Sequence, residues 1–203
     1  LLKDTTRDIL RCLIKFNIDS NSDLISIHIS DNYKKGISDG NVWTWTYERK
    51  RSEHDSGEYG TGFKSGSVNI SSYLRLITRT DNKYIKVDAD WNDMMDENTW
   101  TPDYKDVDEN YYKSIHPFNT GSTFILKQLI KSTLPTDVKH MEYELIKHIK
   151  MTYKKCFHKY HNLMITINDT NLSYRNVLDE INSKDIILNE YKPSSVIKIY
   201  KNN

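Results

Sequence analysis

The chain has 203 residues, with 29 Lys or Arg against 28 Asp or Glu, a formal net charge of +1 and a mean hydropathy of −0.71. That length buries a substantial core in one or two domains, and the even balance gives no global basic field of the kind that nucleic-acid binding needs. No apolar run approaches the roughly 18 residues of a membrane span, which excludes a transmembrane helix, and no signal peptide is visible, so an intracellular location, cytoplasmic or nuclear, is expected.

In chain order, Ile9, Leu10, Leu13 and Ile14 recur at helical spacing and predict a first helix from about Asp4 to Phe16. Leu24 to Ile29 alternates like a half-buried strand, and a long loop follows. In it Trp43, Trp45 and Tyr47 alternate, either as an edge strand or as a cap over a bound base. A short helix begins near Gly62 or Phe63. Tyr73 to Thr78 and Lys83 to Asp88 read as a hairpin turning at Thr80-Asp81-Asn82, whereas residues 90 to 118 lack a clear period and predict an irregular crossover. After a strand from Phe124 to Ile130, Pro135 opens an amphipathic helix marked by Val138, Met141, Leu145, Ile149, Tyr153 and Cys156. Leu163 to Ile167, a polar turn at Asn168 to Asn171, a helix near Tyr174 to Ile181 and a strand from Val196 to Tyr200 complete the chain. Cys12 and Cys156 both fall among apolar residues at helical spacing, which predicts buried free thiols.

Four of the seven glycines lie in Gly57-Glu58-Tyr59-Gly60-Thr61-Gly62-Phe63-Lys64-Ser65-Gly66. Glycine is kept where the backbone takes positive φ or lets a ligand approach closely, so the segment reads as a phosphate-binding lid. It is not a P-loop, because Phe63 stands between Gly62 and Lys64-Ser65, and the charged Arg49 to Ser56 segment upstream cannot be a buried strand. The same upstream context excludes a dinucleotide-binding turn at Gly60-Thr61-Gly62.

The ten-residue segment closely resembles the second glycine motif of the GHKL ATPases, and its Gly-Phe-Lys-Ser-Gly form is most similar to the MORC branch. Other family motifs find counterparts in order. Asp31-Asn32-Tyr33-Lys34-Lys35-Gly36-Ile37 resembles the Asp-x-Gly-x-Gly turn, with one residue extra and Tyr33 in place of the first glycine. Leu1 to Asp8 matches the tail of the Glu-x-x-x-Asn helix, with Asp4 at the asparagine position; the general-base glutamate would precede Leu1, and the chain begins with Leu rather than Met. Gly121-Ser122-Thr123 resembles the late Gly-Thr motif.

The resemblance implies an α+β protein: a two-layer α/β sandwich of the Bergerat ATP-binding type over residues 1–131, then a smaller α+β transducer-like domain over residues 132–203. It further implies an ATP site with magnesium. Asp31 would accept from the adenine amino group, Asn32, Gly36 and Ile37 would border the base, and Thr123 would support Asp31 through a water. Gly60, Thr61, Gly62, Phe63, Lys64 and Ser65 would meet the phosphates, and Asp4 would hold Mg2+. The implied output is a magnesium-dependent ATPase acting as an ATP-driven homodimer switch in DNA or chromatin handling, of MORC or topoisomerase type, with nucleic-acid contacts made through other regions. A catalytically degenerate scaffold with the same fold is the competing expectation, favoured by Tyr33 and Asp4. Two other constellations are set aside. Asp88 to Asp93 mimics a calcium loop but places Asp93 where glycine is required, and Cys156, His158 and His161 lack a second cysteine pair for zinc.

Overall fold

The computed structural model describes residues 9–37, 62–80, 83–99, 102–135 and 137–173. In chain order these form β1 (Leu10–Ile18), β2 (Leu24–Asp31), α1 (Gly62–Ile70), β3 (Ser71–Arg79), β4 (Tyr84–Asp90), α2 (Trp91–Asp96), β5 (Asp103–Val107), α3 (Glu109–Ile115), β6 (Ser122–Leu129), α4 (Val138–Thr152), α5 (Lys154–Lys159), β7 (Leu163–Ile167) and β8 (Thr170–Ser173). The fold is α+β. One eight-stranded sheet runs β5-β4-β3-β6-β2-β1-β7-β8, antiparallel throughout except where β7 lies parallel to β1.

The start of the described chain corrects the predicted first helix, since residues from Leu10 onward form a strand. Leu10, Cys12, Ile14, Phe16 and Ile18 alternate as well as they recur at helical spacing, and the neighbouring strand decides between the two periods. β1 pairs with β2 from Cys12 opposite Asp31 to Phe16 opposite Ile27. Asp19 closes the connecting turn by accepting, through Oδ1, from the amides of Asn21 and Asp23.

Residues directly opposite one another in a sheet share a face. Ile14, Phe16, Ile27, Ile29, Phe124, Leu126, Leu74, Leu76, Val87 and Ala89 therefore line one side, and they form one apolar cluster with Phe63 and Val68 of α1, Trp91 and Met94 of α2, Ile149 of α4 and Phe157 of α5. The other side carries Arg75, bonded to Asp88 at 2.6 Å, and is partly covered by α3, whose Tyr112 is buried.

Residues 90 to 118 are more regular than the sequence suggests. The acidic residues that broke the period are helix caps: Asp90 accepts from the amides of Asn92 and Asp93 at the start of α2, and Asp108 accepts from Tyr111 N at the start of α3. The amphipathic helix after Pro135 breaks at Tyr153, which is exposed, so Cys156 belongs to the separate α5. Both cysteines are free and half-buried.

The sheet also crosses the boundary drawn after residue 131. Ile165 pairs with Cys12 and Ile167 with Ile14, so β7 joins the same sheet as β2 and β6. Trp43, Trp45, Tyr47 and the elements expected beyond residue 173 lie outside the described residues. Among the described residues no helix is long and apolar enough to cross a membrane.

Candidate functional site

Four strands deliver one side chain each to a row near one end of the sheet. Cys12 of β1 stands opposite Asp31 of β2, Asp31 opposite Ser122 of β6, and Ser122 opposite Thr78 of β3. The row continues the core face, because Asp31 follows Ile27 and Ile29 at even spacing and Ser122 precedes Phe124 and Leu126 in the same way. It replaces apolar side chains by a carboxylate, two hydroxyls and a thiol at the edge of an apolar layer. The Ser122 and Thr78 hydroxyls bond each other at 2.9 Å, and both residues are buried.

Asp31 is half-buried, and its Oδ1 accepts from Tyr33 N at 2.8 Å. Burial pushes its carboxyl above the ordinary aspartate value, while the backbone amides of Tyr33 and Ser122 pull the other way. Next to it, the Cys12 thiol is raised to about 11 by burial and by the Asp31 charge, so it stays protonated at neutral pH.

The chain after Asp31 folds back over the row. Gly36 takes φ +59°, its amide donates to Tyr33 O, and a Cβ on it would come within 1.9 Å of Arg79 O; only glycine satisfies both conditions. Ile37 N then donates to Thr78 Oγ1 at 2.8 Å. Tyr33, which stands where the family motif has its first glycine, is exposed and needs no left-handed backbone. Gly121 is the second obligatory glycine: at φ +115° it lies so close to Asp31 that a Cβ would meet Asp31 O at 1.9 Å.

The predicted residues divide into those brought together and those placed elsewhere. Asp31 stands in the row, Gly36 and Ile37 fold against it at Thr78, and Phe63 joins the apolar cluster by packing on Phe124 at 4.7 Å between ring centroids. Gly62 begins α1 and is exposed, as is Ser65, whereas Lys64 is only 2% exposed and burial lowers its ammonium pKa. Asn32 faces β1 instead: its Nδ2 donates to Ile9 O at 2.7 Å and its Oδ1 accepts from Arg11 N at 2.8 Å, which extends the β1–β2 ladder. Asp4, Gly60 and Thr61 lie outside the described residues.

Thr123 requires a correction. It stands opposite Ser30, not Asp31, and its hydroxyl lies 2.8 Å from both Ser30 Oγ and His116 Nδ1 on the other face of the sheet. The hydroxyl on Asp31's face belongs to Ser122. Gly-Ser-Thr offers two hydroxyls of opposite parity, and the alternation Ser122, Phe124, Leu126 against Ile27, Ile29, Asp31 was the signal that could have chosen between them. Thr78 and His116 carried no such signal.

Comparison with family models and with characterised proteins gives no match to this chain.

Proposed function

We propose that the chain is a GHKL-type module of Bergerat fold that binds ATP with Mg2+ on the core face of the sheet, beneath the helical layer, and hydrolyses it as a dimerisation switch in DNA or chromatin handling. The observation that carries this reading is the Asp31–Ser122–Thr78 row with Gly36 and Ile37 folded against it. A half-buried carboxylate at the end of an apolar face, with one oxygen fixed by Tyr33 N, is suited to accept from an exocyclic amine. Adenine offers that donor and guanine presents a carbonyl in its place, so an ionised Asp31 selects adenine. Gly36, packed on Arg79 O, holds the turn that brings Ile37 to Thr78, and the apolar cluster around Ile37, Phe63 and Phe124 would supply a surface for a planar base.

The α1 helix begins at Gly62 within the glycine-rich segment, and its first amides would face the phosphates, since anions are favoured at a helix N-terminus. Lys64 would neutralise phosphate charge, and Asp4 would hold the magnesium ion, which offsets the charge of the triphosphate when bound. A scaffold that keeps the fold without turnover is the second reading, favoured by Asp4 in place of a neutral asparagine.

Calorimetric titration of the chain with Mg-ATP, beside Asp31→Ala and Ser122→Ala, tests the site. Micromolar to millimolar binding that Asp31→Ala abolishes supports the adenine pocket, and binding equal in wild type and Asp31→Ala overturns it. Phosphate release measured on the binding-competent protein then separates ATPase from scaffold.

A further inference from the structure

Behind the Asp31–Ser122 pair lies a second polar row that the nucleotide reading does not use. Ser30 and Thr123, one residue along from Asp31 and Ser122, point to the opposite face, and there they meet His116, the residue that ends α3 just before Pro117. All three are buried, with His116 3% exposed. His116 Nε2 lies 2.9 Å from Thr120 O and Nδ1 lies 2.8 Å from Thr123 Oγ1.

Hydrogen-bond direction follows from the chemistry. A carbonyl oxygen only accepts, so Nε2 carries the proton, and in the neutral ring Nδ1 is left as an acceptor. Thr123 therefore donates to Nδ1, and Ser30 donates to the Thr123 oxygen at 2.8 Å. The segment held by this chain is the one that frames Asp31. Thr120 Oγ1 donates to Asn32 O, Tyr112 Oη donates to Gly121 O, and Gly121 packs on Asp31 O. Adding a proton to Nδ1 removes the acceptor at the end of this chain: Nδ1 becomes a donor to Thr123, and one of the two buried hydroxyl protons, on Thr123 or Ser30, is left without an acceptor.

We propose that neutral His116 is a positioning residue, clamping the ends of β2 and β6 through Ser30 and Thr123 so that Asp31 and Ser122 are set in register on the other face. Its effect on ligand affinity rests on the nucleotide reading above; its effect on the strand ends does not. Burial also lowers the pKa of His116, in line with a ring kept neutral. Among the described residues, Asp88 on the same face is already held by Arg75 at 2.6 Å and Lys86 at 2.8 Å. Tyr112 stacks at 4.7 Å and Phe118 at 5.7 Å, Tyr84 sits 5.0 Å from Tyr112 with Arg79 over it, and Glu109 is paired to Lys113 on α3. Asp31 lies across the sheet, where burial raises its own pKa.

The test compares wild type, His116→Gln, Thr123→Val and Thr123→Ser, with the fold of each checked by circular dichroism. Mg-ATP affinity is measured from pH 5 to 8. Gln mimics the neutral ring, with an amide to donate to Thr120 O and a carbonyl to accept from Thr123. It retains wild-type affinity at pH 7.5 and lacks the acid-side loss, which in wild type steepens by up to about tenfold per pH unit for one linked proton. Ionisation of the nucleotide and of Asp31 is common to both proteins and cancels. Thr123→Val weakens binding about tenfold, as loss of one buried hydrogen bond does, and Thr123→Ser restores it. Superimposable pH profiles for wild type and His116→Gln, or wild-type affinity in Thr123→Val, overturn the proposal. If wild type binds no nucleotide, the nucleotide reading fails, and amide exchange at Asp31 and Ser122 decides the clamp without ligand: faster exchange in Thr123→Val sustains it, and unchanged exchange sinks it.

Discussion

Single residues carry opposing demands at the row. Asp31 is held where burial disfavours its charge, and its folded pKa lies above the unfolded value. The folded state then binds more protons than the unfolded one in the window just above the ordinary aspartate pKa. Stability is lost as pH rises through that window, and the ionised carboxylate is a net cost at neutral pH. Asp31→Asn keeps an oxygen to accept from Tyr33 N and removes the charge. It is expected to stabilise the fold at pH 7 by roughly 0.5–1 kcal/mol while destroying adenine selection. Urea denaturation at pH 7 and pH 4 checks this, since the gain must shrink at the lower pH; a destabilised Asp31→Asn would show the carboxylate to be structural. Gly36→Ala makes the opposite kind of change. It forces an L side chain into φ +59° and drives a methyl into Arg79 O, so a loss of at least about 2 kcal/mol is expected in the same experiment. A loss under about 0.5 kcal/mol, the range of an ordinary surface change, would mean that the turn is not packed as described.

The secondary-structure elements show how much of the site a sequence carries. The hairpin of β3 and β4, the strand β2 and the start of α1 were readable because alternation, a turn tripeptide and the end of a glycine run are local signals. β1 was not, because Leu10 to Phe16 satisfies a helical and a strand period at once and only pairing with β2 and β7 selects one. The same non-local cause hid Thr78 and misassigned Thr123: strand register across three chain-distant segments decides which hydroxyl faces Asp31. The two short helices within residues 90 to 118 escaped for a different reason, since they are too short to show a period and their signal is the caps Asp90 and Asp108. That reading of α3 is testable. Asp108→Ala removes the acceptor for Tyr111 N and is expected to cost about 1 kcal/mol, and because α3 leads directly into His116, amide exchange at Tyr112 and His116 should quicken with it. An unchanged melting curve would place the capping energy elsewhere.

At the scale of the molecule, the question is whether the segment after residue 131 is a unit of its own. The described part of it is tied in twice. β7 lies parallel to β1 as a member of the single sheet, and Ile149, Phe157, Ile167 and Leu172 belong to the same cluster as Leu74, Leu76 and Leu126. Parallel pairing needs a crossover, and α4 with α5 provides it, placing the helices on the core face, where α1 and α2 also pack. Cooperativity follows from such a shared core, because the apolar surface of one half is buried by the other. Ile167 is fully buried at the end of β7, opposite Ile14, and truncating it leaves a cavity between β1 and the helices. Ile167→Ala is therefore expected to cost about 3 kcal/mol and to move the whole transition, with tryptophan fluorescence, far-UV circular dichroism and amide exchange in β3 and β6 all shifting to the same midpoint. If β3 and β6 kept their wild-type protection while β7 and β8 exchanged early, residues after 131 would form a separate cooperative unit docked on the sheet. In that case a nucleotide bound at the Asp31 row would stabilise only the first unit, whereas one core predicts that it stabilises β7 equally.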